Sequence, residues 1–252
     1  MMNKEDPLVS IIIPIYKGNK EYIKQCFDSL LSQTYEKWKA IVIVDDADND
    51  KTFDLIKGYA RRDDRIFVIG RSFKTNPAAA RNEGLEWCIN ANGKYIAFLD
   101  ADDWWSSNKL YIQVCYMEST PTLMWTCHWL AFDHPDGNVV INKEYPGKSW
   151  GIEGLHTVLM KRELLNKIGG FDESLNKADD ADMVLRIRNY PSHQLPICLS
   201  HCRINPSGLT MNTTKFENLI SVTGLAIKNH AWWLLPYHWK NYILSSMGCH
   251  FD

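Results

Sequence analysis

The chain has 252 residues, 45% of them hydrophobic and 23% charged, which suffices for the core of one large α/β domain. Its 28 Lys and Arg against 30 Asp and Glu leave a net charge of −2, so no basic excess points to nucleic acid. Seven cysteines scattered through apolar segments predict reduced thiols and a cytoplasmic protein; Met1–Asp6 is polar rather than a leader, and no apolar run reaches the roughly 18 residues of a membrane span.

The first hundred residues alternate between two periods. Val9–Ile13 is a continuous apolar run, as in a strand buried on both faces, and it ends at Pro14. Tyr22, Ile23, Cys26, Phe27, Leu30 and Leu31 then recur at helical spacing. Ala40–Val44 predicts a second buried strand, Leu55, Ile56 and Tyr59 a second helix, and Ile66–Ile69 a third strand. Asn76-Pro77 supplies a cap and a first-turn proline to a helix carrying Ala80, Leu85, Cys88 and Ile89, which Asn92-Gly93 closes before a fourth strand, Tyr95–Leu99. Buried strands separated by helices make βαβ units, hence an α/β fold with a parallel sheet between helices.

Beyond residue 103 the pattern turns mixed. A helix over Ser106–Met117 is expected, then a long strand over Leu123–Phe132. The turn His134-Pro135-Asp136-Gly137 returns it as a hairpin into Val139–Ile141. Leu155–Met160 predicts a further strand, followed by a short helix stopped at Gly169-Gly170; Asp179–Asn189 is helical, with Met183, Ile187 and Tyr190 on one face. One domain over 1–218 is expected, with a nucleotide-type half to 103, a mixed half over 104–218 and an aromatic-rich tail over 219–252.

Ligands of such sheets bind beyond the carboxyl ends of the strands. Those ends are Pro14-Ile15-Tyr16, Asp45-Asp46 and Asp100-Ala101-Asp102-Asp103, so two independent strand ends make the crevice acidic. Asp100 and Asp102 offer two hard oxygen ligands to a divalent cation such as Mg2+ or Mn2+, which completes its shell with water and substrate phosphates. The pair alone reads equally well as a solvated turn, with Asp103 capping the next helix or supporting the other two by hydrogen bonds. Asp179, Asp180 and Asp182 open a helix, where dipole and capping favour acidic side chains; one of them beside a metal–phosphate site also suits a general base. No GxxxxGK[ST] or GxGxxG occurs, and the loop from Asp46 has Lys51 and Lys57 where an EF-hand needs Gly and Glu.

Taken in order, VSIIIPIYKGNKEYIKQCFDSLLSQTYEKWKAIVIVDDADND, AAARNEGL, YIAFLDADD, IGGFDE and DDADMVLRI resemble the motif series of inverting family-2 glycosyltransferases, over residues 8–210. The resemblance implies a GT-A fold and a Mn2+ or Mg2+ cofactor. It implies transfer from a nucleoside-diphosphate sugar, typically a UDP-sugar, to a glycan or lipid-linked acceptor. Residue by residue it implies that Pro14 and Tyr16 flank the nucleotide base and Asp46 hydrogen-bonds it. Arg81 lies near ribose or phosphate, Asp100 contacts ribose or metal, Asp102 binds the metal, and Asp180 deprotonates the acceptor. The family's Glu before that base is Asp179 here, a departure confined to the first position.

Several positions keep two readings. His201, in a segment similar to one that follows the base-bearing helix in the family, is a further metal or phosphate contact or a structural histidine. Cys198, His201 and Cys202 lack a second ligand pair at zinc spacing. Trp104, Trp105 and Asp179 are candidates to line the sugar or acceptor pocket, the tryptophans against a packing role; Trp150 and His156 lie on the acceptor side by position alone. The segment AWWLLPYHWKNYIL (231–244) reads as a peripheral membrane contact or as a helix over the core. The rival functions are a nucleotide-sugar pyrophosphorylase or other nucleotidyltransferase, whose glycine-rich basic loop is missing, and a non-catalytic sugar-nucleotide-binding protein.

Overall fold

The structure is a computed structural model that describes residues 6–49, 51–143, 154–175 and 178–204, together with Gly224 and Lys228. Trp150 and, those two residues apart, the expected tail lie outside the described residues. The first half runs β1 (Val9–Ile15), α1 (Lys20–Leu31), β2 (Trp38–Val44), α2 (Phe53–Ala60), β3 (Ile66–Gly70), α3 (Pro77–Asn90) and β4 (Tyr95–Phe98). The second half runs β5 (Trp104–Trp105), α4 (Lys109–Ser119), β6 (Trp125–Asp133), β7 (Val139–Asn142), β8 (Leu159–Lys161), α5 (Leu165–Ile168), α6 (Asp179–Ile187) and β9 (Ser192–Arg203).

Among the described residues nine strands share one sheet in the order β3-β2-β1-β4-β8-β6-β9-β5, with β7 hydrogen-bonded to β6. The four strands of the first half are mutually parallel; β8 joins β4 antiparallel and carries the sheet into the second half. The period-2 alternation of the apolar runs sorts their side chains onto the two faces. Ile11, Ile13 and Ile15 pack with Ile23, Phe27 and Leu30 of α1 and Ile56 of α2, whereas Ile12, Ile41 and Ile43 pack with Ala80, Leu85 and Cys88 of α3. As expected, Asn76 Oδ1 accepts from the Ala79 N–H at 2.8 Å ahead of Pro77; Asn19, a cap not expected from the sequence, accepts at Oδ1 from the Glu21 N–H at 2.8 Å.

Four expectations change. Leu155–Thr157 is a single 3-10 turn and only Leu159–Lys161 is strand; the buried pair Leu155 and Val158, three apart, follows the tighter helix rather than alternation. Ile89 is 51% exposed, because α3 turns its small residues to the sheet and ends with Ile89 on the outside. Helix α4 starts at Lys109 behind Asn108, so Asp103 does not cap it. Strand β9, twelve residues long, is the strand that hydropathy missed: Pro196 argues against a central strand. The ladder to β6 accommodates it by slipping, with His128 opposite Leu195 but Trp129 opposite Cys198, so that Pro196 sits in a bulge.

Candidate active site

Strands β2, β1 and β4 are parallel neighbours, so their carboxyl ends meet at one edge of the sheet. Pro14 lies in β1 opposite Ile43, and Tyr16, just beyond β1, is 40% exposed with the Lys74 ammonium 4.4 Å from its ring centroid. The two aspartates that follow β2 divide the work. Asp45 is buried and consumed by structure: its Oδ2 accepts from the Thr75 N–H at 2.6 Å and the Thr75 hydroxyl at 2.7 Å, and its Oδ1 from Arg71 at 3.2 Å. Asp46 takes a left-handed backbone, φ 53°, and so does Lys17 at φ 48°, whose ammonium stands 3.7 Å from Asp46 Oδ2. Non-glycine residues held in that region cost of order 1–3 kcal/mol and gather at ligand sites.

The turn after β4 carries three carboxyls, and Arg81 of α3 ties one of them to α6. Its guanidinium donates from Nη2 to Asp100 Oδ1 at 2.7 Å and from Nη1 to Asp179 Oδ2 at 2.5 Å. Arg81 and Asp179 are both buried, and Arg81 Nε has no hydrogen-bond partner among the described atoms. Burial works against the charge on Asp100, but Arg81 outweighs it and holds the carboxyl below its usual range. Asp102 forms no ion pair among the described residues; burial and the neighbouring Asp100 push its carboxyl up. Asp179 thus serves Arg81 and is withdrawn from the pocket wall expected of it. Asp180, next along α6 and half-buried, is pushed up to about 6, by burial first and then by the charge of Asp179. Asp182, fully buried, is paired by Arg186 and by Lys228.

The end of β9 grips the same turn. Asp103 is buried, its Oδ1 accepting from the Arg203 N–H at 2.9 Å and its Oδ2 lying 3.3 Å from His156 Nδ1, with the Cys202 thiol as a further hydrogen-bond partner. Burial, then Asp102 and Asp100, raise the Asp103 carboxyl well above its usual range. Arg203 also donates from Nε to the Asp102 carbonyl at 3.2 Å while its guanidinium lies over Tyr22 and Trp104. Trp104 stacks on His201, rings 4.9 Å apart and 10° from parallel, and His201 Nδ1 is 3.1 Å from Asp133 Oδ2. Trp105 is 2% exposed, belongs to the core and donates from its indole to the His156 carbonyl at 3.0 Å, so it lines no pocket.

Asp100 and Asp179 thus share one buried guanidinium, while Asp102 and Asp180 beside them have no ion pair among the described residues, an acidic cluster that suits a divalent cation and its phosphate ligands. The donor set fits such an ion: hard oxygens on Asp100 and Asp102, and on His201 a ring nitrogen held by a carboxylate, the usual support of a ligating histidine. Among the described residues the group of three ligating side chains gathered within 4.8 Å is a different one, Asp103, His156 and Cys202. Neither His156 in that role nor Arg203 has a local sequence signal; each meets the turn only through the fold.

The model of glycosyl transferase family 2 matches residues 10–174 of the chain. An uncharacterized glycosyltransferase of Methanocaldococcus jannaschii is 27% identical over 251 residues, covering 94% of this chain and 81% of its own. The UDP-Glc:alpha-D-GlcNAc-diphosphoundecaprenol beta-1,3-glucosyltransferase WfgD of Escherichia coli is 39% identical over 176 residues, 64% of this chain and 63% of its own, so less than two thirds of that relative is spanned. Among solved structures, residues 1–349 of S. aureus TarS in complex with UDP-GlcNAc superpose with a TM-score of 0.67 at 17% identity, over 87% of this chain and 66% of that one. The mannosyltransferase PcManGT of Pyrobaculum calidifontis, in complex with GDP-Man and Mn2+, gives 0.64 at 16% identity, over 99% of this chain and 77% of that one. These likenesses identify the fold as GT-A.

Proposed function

The chain belongs to glycosyl transferase family 2, and on that premise we propose that it is a metal-dependent, inverting glycosyltransferase. It moves the sugar of a nucleoside-diphosphate sugar, a UDP-sugar in this reading, to a hydroxyl of a glycan or lipid-linked acceptor. The observation that carries the reading is Arg81, which joins Asp100 of the turn after β4 to Asp179, the neighbour of Asp180. One buried cation thereby registers the donor end of the site against the base end. The names of the relatives support the substrate class: WfgD acts with UDP-Glc on a lipid diphosphate, and TarS and PcManGT hold nucleotide sugars, the latter with Mn2+.

In this reading Pro14 and Tyr16 flank the base, and the Asp46 carboxylate accepts a hydrogen bond from it. Asp102 and Asp100, with His201, would hold Mn2+ or Mg2+. When bound there, the ion offsets the negative charge that builds on the departing diphosphate. Asp180 takes the proton of the acceptor hydroxyl, whose oxygen attacks the anomeric carbon from the face opposite the leaving group; a single displacement inverts that centre. Trp104 offers a ring to the sugar side. A lipid-linked acceptor would bring the protein to the cytoplasmic face of a membrane, with segment 231–244 as its contact.

Two substitutions test the assignment against a panel of UDP-sugars, read by UDP release, and against UDP with Mn2+ by calorimetry. Asp180→Asn is expected to keep UDP and Mn2+ binding and to lose turnover by roughly 10²–10⁴-fold, the usual share of a general base. Asp102→Ala is expected to lose the Mn2+-dependent part of UDP binding itself. Near-normal turnover in the first variant, or unchanged Mn2+ dependence in the second, overturns the corresponding role.

A further inference from the structure

We propose that His156 is a positioning residue of the metal-bearing turn: from the second half of the chain it fixes Asp103, and through Asp103 the carboxylates on either side of the intended ion. The inference rests on the reading that Asp100 and Asp102 hold that ion.

The turn 100–103 has few internal restraints. One backbone hydrogen bond closes it, from the Asp103 N–H to the Asp100 carbonyl at 3.1 Å. Three carboxyls in four residues repel one another, and an unanchored turn would splay them. Arg81 holds the Asp100 carboxyl and Arg203 the Asp102 carbonyl, and Asp103 supplies the anchor that reaches inward. It points into the protein, 3% exposed, and reaches the Arg203 N–H, the Cys202 thiol and the His156 ring. The first two partners belong to one strand end, β9, and fix the carboxylate in one direction only. His156 comes from a different element, the 3-10 turn Leu155–Thr157 before β8, and supplies the second direction.

His156 is itself held so that its ring has no other place to go. Its carbonyl accepts from the Trp105 indole at 3.0 Å and from the Ser200 hydroxyl at 3.1 Å, which pins its backbone to β5 and β9. The ring is 4% exposed and lies against Gly154, where a Cβ would collide with it. Nε2 is buried without a partner among the described atoms. Leaving that buried atom unpaired costs about 1–3 kcal/mol, and the polar contact the ring keeps is the one at Nδ1, 3.3 Å from Asp103 Oδ2. That missing support at Nε2 also argues against reading Asp103, His156 and Cys202 as a metal site of their own, because a ligating histidine is normally held by its second nitrogen.

Gly154 offers a second way to disturb the contact without touching either partner. Its φ of −61° suits alanine, so Gly154→Ala introduces no backbone strain, and the atoms its Cβ meets first are those of the His156 ring. Asparagine at 156 places an amide N–H near the position of Nδ1, whereas leucine of similar bulk does not.

The test is calorimetric titration of Mn2+ into the full chain saturated with UDP, with UDP binding in EDTA as the internal reference. His156→Leu and Gly154→Ala are expected to weaken Mn2+ by about tenfold, the lower end of what the loss of a metal site's outer support costs. His156→Asn is expected to stay within about twofold of the parent, and UDP binding in EDTA to hold in all variants. A thermal melt of each variant identifies any that fails to fold, and the comparison then rests on the remaining pair. Parent-like Mn2+ affinity in either His156→Leu or Gly154→Ala, or an asparagine variant no better than leucine, overturns the inference while leaving the proposed function standing. A parent protein that binds UDP with no dependence on Mn2+ overturns both.

Discussion

As the proposed general base, Asp180 stands between two demands. A general base has to be ionised at working pH, and it works best when its pKa lies near that pH. Burial and Asp179 push its carboxyl up to about 6, which meets the second demand at a cost to the fold. Because the folded-state value is raised, the native protein holds the proton more tightly than the unfolded chain. The cost is therefore fully present above about pH 6 and vanishes as pH falls to the unfolded value of about 4. Two outcomes are expected together. The kcat/KM of the parent should fall on the acid side with a midpoint near pH 6. Asp180→Asn should melt above the parent at pH 8, the gap closing toward pH 4. A variant that melts lower at pH 8 would make Asp180 a stabilising helix-start acid, not a strained base. The sequence displayed Asp100, Asp102 and Asp180 plainly, since carboxylates at a strand end or helix start are local features. It did not display that Arg81 joins Asp100 to Asp179, nor that His156 meets Asp103. Those partners lie 19 and 98 residues from Arg81, and no periodicity encodes them.

The elements follow the same division. Strands β1, β2 and β4 were legible because a short unbroken apolar run between turn residues suits a strand buried on both faces and little else. Strand β9 was not: its pairing comes from β6, and Pro196 hides it from any local rule. Helix α3 was legible from its cap and proline, but its placement depends on Gly84, where a Cβ would lie 2.6 Å from Ile12 Cγ2 in the middle of β1. A short branched side chain on a buried strand cannot swing away. Gly84→Val is therefore expected to lower the unfolding free energy by about 1–3 kcal/mol, the usual cost of overpacking. Chemical denaturation reads it, and an unchanged midpoint would mean that α3 has slack against the sheet.

At the scale of the molecule, one sheet serves both halves of the site. The parallel strands bring Tyr16, Asp46 and Asp100 to one edge, and β8, β6 and β9 continue the same sheet to the clamp on Asp103. Donor binding is therefore expected to stabilise the whole described fold and not one half of it. UDP with Mn2+ at about a hundred times its dissociation constant should add about 2.7 kcal/mol, a rise in melting temperature absent when EDTA replaces the ion. Stabilisation by UTP with none by UDP would instead favour nucleotidyl transfer.

The bulge at Pro196 reaches beyond the site. Among the described residues, β5 pairs with β9 at Ser200 and His201, and the Ser106 N–H reaches the Leu199 carbonyl at 2.9 Å. A long regular margin is a template on which a second chain can add a strand, the first step toward insoluble assemblies. Proline, which has no N–H to offer, and a ladder thrown out of step at His128 and again at Trp129 deny that template its repeat. The irregularity that hid β9 from the hydropathy pattern also leaves its ladder without the constant register on which a further strand could add.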